Sequence, residues 1–144
     1  MKKILIIKHG SLGDIISSTS VINDIRKHYR NDKLIILTTQ KYKSFFEESY
    51  FFDDIVIDNR EDIFVTILIF KKLLQLNIDL IIDLQNSKRT SIYALLFRLL
   101  SKVKINGTSF YSSYRYKPTS RKLPSVIDGL SNQIEILGIK TTRK

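Results

Sequence analysis

The chain has 144 residues, 43% of them hydrophobic, and a formal charge of +10, which is enough for one domain with a real core and too little for two of ordinary size. It has no cysteine and only two histidines, which excludes disulfides, thiolate metal sites and cysteine nucleophiles and argues against a histidine-rich metal centre. No apolar run approaches the roughly 18 residues that a membrane-spanning helix requires, and the apolar part of the N-terminus is too short for a signal peptide, so a cytoplasmic protein is expected.

Residues 4–7 form a continuous apolar run of strand length. It leads into the turn His9-Gly10-Ser11-Leu12-Gly13-Asp14 and then into helical spacing over 14–29. Further strand-like runs lie at 34–37, 55–57 and 80–82, with a short fifth at 104–105, and helical patterns fall between them at 42–46, 63–75 and 90–100. A last amphipathic helix is predicted over 125–137, ending at Gly138, a residue suited to a helix C-cap. Continuous rather than alternating hydrophobicity is the mark of strands buried on both faces. The element order therefore predicts an α/β fold, a Rossmann-like, doubly wound parallel sheet with right-handed crossovers. Residues 108–123, rich in Ser, Tyr and Arg, are predicted to form a loop longer than most connections.

In such a fold ligands sit outside the carboxyl ends of the strands, and most of the unusual polar residues fall there: His9 to Asp14, then Thr38 to Gln40, then Asp58 to Arg60, then Asp83 to Arg89. Ser11 and Asp14 have the spacing of a capping box, and a carboxylate in the first turn suits the helix dipole. The same acid is also placed to act as a general base, and the spacing leaves both roles open. The two glycines fit neither a dinucleotide fingerprint nor a P-loop, but such a turn can bring backbone N–H groups to an anion. Lys88 and Arg89 stand in the first turn of a predicted helix, where cations oppose the dipole and call for an anionic partner. Arg60 lies in an acid-rich stretch and is either a local ion pair or a ligand contact. His9 has no acid next to it in sequence and reads as a polar loop residue as readily as a catalyst.

Residues 85–124 hold nine Lys/Arg and no acid, while the rest of the chain sets fifteen basic residues against fourteen acidic ones. A field of this sign attracts phosphates on nucleic acid, anionic lipid or charged glycan. Phe110, Tyr111, Tyr114 and Tyr116 interleave with Arg115 and Lys117, a pattern that can stack single-stranded bases or sugar rings. A basic nucleic-acid-binding module is therefore an alternative function.

Ile4-Leu5-Ile6-Ile7 followed by Ser11-Leu12-Gly13-Asp14-Ile15-Ile16 resembles the opening of the heptosyltransferases of glycosyltransferase family nine. Asp79-Leu80-Ile81-Ile82-Asp83-Leu84-Gln85 resembles that family's second recognisable block, and Ser113-Tyr114-Arg115 and Ile136-Leu137-Gly138-Ile139 fall where its later landmarks do. The chain departs from the family pattern at Ser18-Thr19-Ser20, Asn86 and Ser125. The resemblance implies the N-terminal half of a GT-B enzyme: a Rossmann-like acceptor-side domain over 1–138, residues 139–144 beginning a linker or tail, and a nucleotide-sugar domain beyond. It implies inverting transfer of heptose from ADP-heptose to the lipopolysaccharide inner core, with no metal or other cofactor, at the inner membrane face. Asp14 would then be the general base, Ser11 and Gly13 would contact the donor, and Arg60, Lys88, Arg89 and Arg115 would hold an anionic glycolipid acceptor. Taken alone, the chain is expected to bind acceptor without turnover, or to be a non-catalytic remnant.

Overall fold

Each apolar run of strand length becomes a strand, and each helical pattern between them becomes a helix. The computed structural model describes residues 1–117 and 126–142; Arg121, Lys122 and Ser125 lie outside the described residues. In chain order the elements are β1 (Lys3–Ile7), α1 (Leu12–His28), β2 (Lys33–Thr38), a 3-10 turn (Gln40–Tyr42), α2 (Lys43–Ser49), β3 (Asp54–Ile57), α3 (Ile63–Gln75), β4 (Leu80–Asp83), α4 (Lys88–Leu100), β5 (Lys104–Gly107), β6 (Tyr114–Arg115) and α5 (Val126–Glu135). The sheet order is β3-β2-β1-β4-β5-β6, and all five pairings are parallel.

Strand alternation sorts the apolar residues into two cores. Ile4 and Ile6 of β1 and Leu34 and Ile36 of β2 face α1, α2 and α5, meeting Ile15, Ile22, Phe46 and Ile134. Leu5, Ile7, Ile35 and Leu37 face the other way and pack with Phe70 and Leu73 of α3 and Tyr93 and Phe97 of α4. With a helical layer on each face, the central strands must be apolar on both sides, which is why their sequences do not alternate.

The helix starts carry their own stop and start signals. Asp62 caps α3 by accepting the Val65 N–H at 3.1 Å, and Ser87 caps α4 by accepting the Thr90 N–H at 3.2 Å. Gly138 takes a φ of +82° just after α5, as expected of a left-handed helix end. Within the predicted loop 108–123, Tyr114 and Arg115 instead add a two-residue edge strand, paired to Asn106 and Gly107. The packed unit also continues past 138. Ile139 is buried in the first core, and the Thr142 N–H donates to Asp24 Oδ2 on α1 at 3.1 Å.

The sheet order places the topological switch between β1 and β4, whose carboxyl ends flank the crevice where doubly wound folds bind ligands. A buried amide network closes one side of it. Gln133 on α5 donates to the Asp83 carbonyl at 2.8 Å and accepts from Asn86 Nδ2 at 2.8 Å, while Asn106 Nδ2 donates to the Gln133 carbonyl at 3.1 Å.

Candidate functional site

β1 ends and α1 begins within four residues, and Gly10 makes that possible by adopting a φ of +117°, a region that side-chain-bearing residues rarely occupy. Ser11 is the N-cap, and its Oγ accepts the Asp14 N–H at 3.3 Å. The Asp14 carboxylate accepts in return from the Ser11 N–H at 3.3 Å and from the Ser11 hydroxyl at 3.0 Å through the same oxygen, Oδ2. The Tyr42 hydroxyl donates to the Gly10 carbonyl and braces the turn from the 3-10 segment. Asp14 remains exposed to solvent. The Ser11 hydroxyl, then the Ser11 amide, then the charge of Lys8 hold its pKa below the ordinary carboxylate value. It is therefore ionised at neutral pH with one oxygen already oriented. Covering it would remove water and raise its proton affinity.

Lys8 was not singled out in the sequence because a lysine ending an apolar run usually marks the surface. It is instead 6% exposed, with Nζ donating to the Leu84 carbonyl at 3.4 Å, and so bridges the carboxyl ends of β1 and β4. Burial lowers its pKa, while the charges of Asp14 and Asp83 oppose that shift. Asp83 is buried at the end of β4 and accepts the Gln85 and Asn86 N–H groups at 3.0 and 2.9 Å. Burial outweighs these bonds and pushes its pKa up to about 6.

A second cluster lies on the α3–α4 side of the same edge. Asp58, just past β3, is 2% exposed. It accepts two bonds from the Arg89 fork, 3.1 Å from Nε and 2.8 Å from Nη2, and one from the Tyr93 hydroxyl at 3.0 Å. The Arg60 N–H completes the set at 2.9 Å, and Arg89 Nη2 also donates to Thr66 at 2.8 Å. Burial alone would raise the Asp58 pKa, but Arg89, the Arg60 amide and Tyr93 hold it below the usual value. His9 is buried with Nδ1 unpartnered among the described residues. Burial, followed by the charge of Arg60, lowers its pKa to about 4, so the ring is neutral.

The sequence candidates thus separate into groups. Asp14, Ser11 and Gly13 share the first turn of α1, with Lys8 behind them. Arg60 and Arg89 meet around Asp58, two strands away and about 10 Å across the sheet. The Arg89 guanidinium is occupied by that carboxylate, whereas the side chains of Arg60 and Lys88 are exposed. Arg115 is not brought to this group. It sits on the edge strand β6, three strands and about 14 Å from β1. There it donates to the Thr108 carbonyl at 3.3 Å and lies over the Phe110 ring at 5.5 Å. Among the described residues no three His, Asp or Glu side chains converge as metal ligands would.

No protein-family model and no curated protein matches this sequence. Solved structures do match the fold. A glycosyl transferase family 9 structure from Veillonella parvula is 20% identical with a TM-score of 0.82, covering 99% of this chain and 43% of that one. E. coli heptosyltransferase WaaC with ADP-2-deoxy-2-fluoro heptose is 12% identical with a TM-score of 0.75, covering 99% of this chain and 50% of that one. E. coli ADP-heptose LPS heptosyltransferase II is 14% identical with a TM-score of 0.69, covering 92% and 41%. The chain spans half or less of the length of each of these structures. Over that length it has the Rossmann-like fold of the glycosyltransferase family 9 heptosyltransferases.

Proposed function

We propose that this chain is the acceptor-side domain, over 1–138 with 139–144 beginning an interdomain linker or tail whose first residues pack against the domain, of a heptosyltransferase-like inverting glycosyltransferase, using ADP-heptose as donor and an anionic glycolipid of the lipopolysaccharide inner core as acceptor. The observation that carries the reading is the placement of an ionised, hydrogen-bonded and solvent-facing Asp14 at the carboxyl end of β1, beside the switch point of a sheet shared with ADP-bound and ADP-heptose-analogue-bound heptosyltransferases.

In this mechanism Asp14 accepts the proton of the attacking acceptor hydroxyl. Its capping bonds to Ser11 hold Oδ2, leaving Oδ1 for the substrate. A second domain closing over the exposed carboxylate would desolvate it and raise its proton affinity toward what a base requires. Ser11 and Gly13, in the first turn of α1, sit where helix N-terminal amides favour the donor diphosphate. Arg60 and Lys88 offer exposed cations to the acceptor's anionic groups, Arg89 acts through its pair with Asp58, and Arg115 binds acceptor only where it extends along the sheet edge. The acceptor being a glycolipid, the domain works at the cytoplasmic membrane face.

Two measurements test this. In the two-domain enzyme carrying this chain, Asp14→Asn should lower turnover by about 10²–10⁴-fold, the contribution of a positioned base; unchanged turnover sinks the assignment. In the 144-residue chain, a phosphorylated or carboxylated sugar acceptor should bind in calorimetry and lose affinity in Arg60→Ala and Lys88→Ala. Salt-steep binding of single-stranded oligonucleotide, lost in Tyr114→Ala and Arg115→Ala, would favour the nucleic-acid alternative instead.

A further inference from the structure

Helix α3 is apolar on both faces, yet the sheet covers only one. Phe70 and Leu73 pack into the second core. Ile63, Phe64, Ile67 and Leu68 point away from it and are 70%, 76%, 45% and 64% exposed. Lys71 and Lys72, both exposed, follow at the next turn of that outer face. Residues 63, 64, 67, 68, 71 and 72 repeat at helical spacing, so they form a single stripe. Beneath that face the buried Phe70 and Phe97 rings meet at 4.9 Å, and α4 separately exposes Ile92 and Leu99 together with Lys88 and Arg98. Monomeric proteins rarely leave so many contiguous large apolar side chains in water.

We propose that the outer face of α3 and α4 is the surface on which this chain rests against an anionic lipid bilayer. Ile63, Phe64, Ile67 and Leu68 enter the boundary between headgroups and acyl chains, while Lys71 and Lys72 reach lipid phosphates. Charge complementarity selects this occupant. The lysines lie on the same face as the apolar side chains, where a long stem can cover lipid while its ammonium stays at the headgroups. Of the nine basic residues in 85–124, α4 carries Lys88, Arg89 and Arg98; Lys88 and Arg98 are exposed, and Arg89 pairs with Asp58. The acids of α3's N-terminal end, Glu61 and Asp62, precede the stripe, and Asp62 is engaged in the cap. Among the described residues no helix is long and apolar enough to cross a membrane, so the contact is interfacial. Both helices begin at the carboxyl edge, which brings the candidate site to the bilayer surface. The surface stands on its own exposed residues and not on the transfer chemistry, so vesicle binding without sugar transfer still supports it.

The experiment is flotation of the 144-residue chain with vesicles of phosphatidylcholine alone and of phosphatidylcholine mixed with phosphatidylglycerol, at low and high salt. Binding should require phosphatidylglycerol and weaken with salt. Phe64→Ser/Leu68→Ser, at exposed positions that leave the fold intact by circular dichroism, should weaken it by roughly tenfold or more. Lys71→Glu/Lys72→Glu should weaken it by at least about 25-fold, about fivefold for each lysine lost. A chain that stays in solution with anionic vesicles at low salt, or that binds equally well in both variants, overturns the proposal. So does a dimer in sedimentation velocity that Phe64→Ser/Leu68→Ser abolishes while vesicle binding is unchanged, because the face then docks a second copy.

Discussion

Arg89, expected to hold the acceptor, is paired with buried Asp58, and that pair gives a quantitative test. Arg89→Met removes two of the four hydrogen bonds that reach a carboxylate only 2% exposed, leaving the Tyr93 hydroxyl and the Arg60 amide. Breaking a buried ion pair by deleting one partner costs about 3–5 kcal/mol. The Arg89 side chain is 25% exposed, so water can replace part of what is lost, and the lower end, about 3 kcal/mol, is expected. For a chain of this size that lowers the Tm by roughly 10 °C. Asp58→Asn should cost less, about 1–3 kcal/mol, because the stranded guanidinium can turn to solvent. Asp58→Asn/Arg89→Met should cost less than the sum of the two single losses, by a coupling energy of about 1.5 kcal/mol or more. Urea unfolding followed by circular dichroism at neutral pH measures all of these. If Arg89→Met costs under about 1 kcal/mol and the coupling is near zero, the pair is not structural and the Arg89 fork is free to hold a ligand.

Gly10→Ala should destabilise the chain by about 1–3 kcal/mol in the same assay, because Gly10 has a φ of +117° and its Cβ would stand 3.1 Å from Asp14 Oδ2; a neutral effect would refute the strained turn. If the proposed two-domain enzyme uses Asp14 as its base, Ser11→Ala and Lys8→Met should both move the acid limb of the kcat/KM profile to higher pH, with Ser11→Ala moving it further, since the Ser11 hydrogen bond is the larger influence on Asp14; the reverse order counts against the assignment. His9 and Asp83 should bend the pH dependence of stability in opposite directions. The folded His9 pKa of about 4 lies below its ordinary 6.5, so its contribution is present above that value and lost as pH falls toward 4. The folded Asp83 pKa of about 6 lies above its ordinary 3.8, so its contribution is present below that value and lost as pH rises toward 6. Each is worth about 3 kcal/mol, and they offset one another in the parent chain. His9→Gln should make stability fall from pH 4 to 6, Asp83→Asn should make it rise, and profiles identical to the parent would contradict both.

Local patterning carried much of this fold. Strands buried on both faces announce themselves as unbroken apolar runs, and α3 lies at residues 63–75, where the periodicity places it. The capping box of Ser11 and Asp14 was legible for the same reason, since both partners fall within one helical turn. The groups that define the site's surroundings were not legible, because their partners are distant in sequence. Lys8 meets the Leu84 carbonyl across 76 residues, Asp58 meets Arg89 across 31 and Asp24 meets Thr142 across 118. Strand order belongs with these, since β1 pairs with β2 and β4 on grounds that no local propensity encodes. Edge strand β6 has only two residues, too few for any periodicity. Chain-local chemistry thus chose the elements and aimed Asp14 at solvent. Burial of charge needs the whole sheet assembled, so folding alone determined that Lys8 is enclosed, that His9 is neutral and that Arg89 is committed to Asp58.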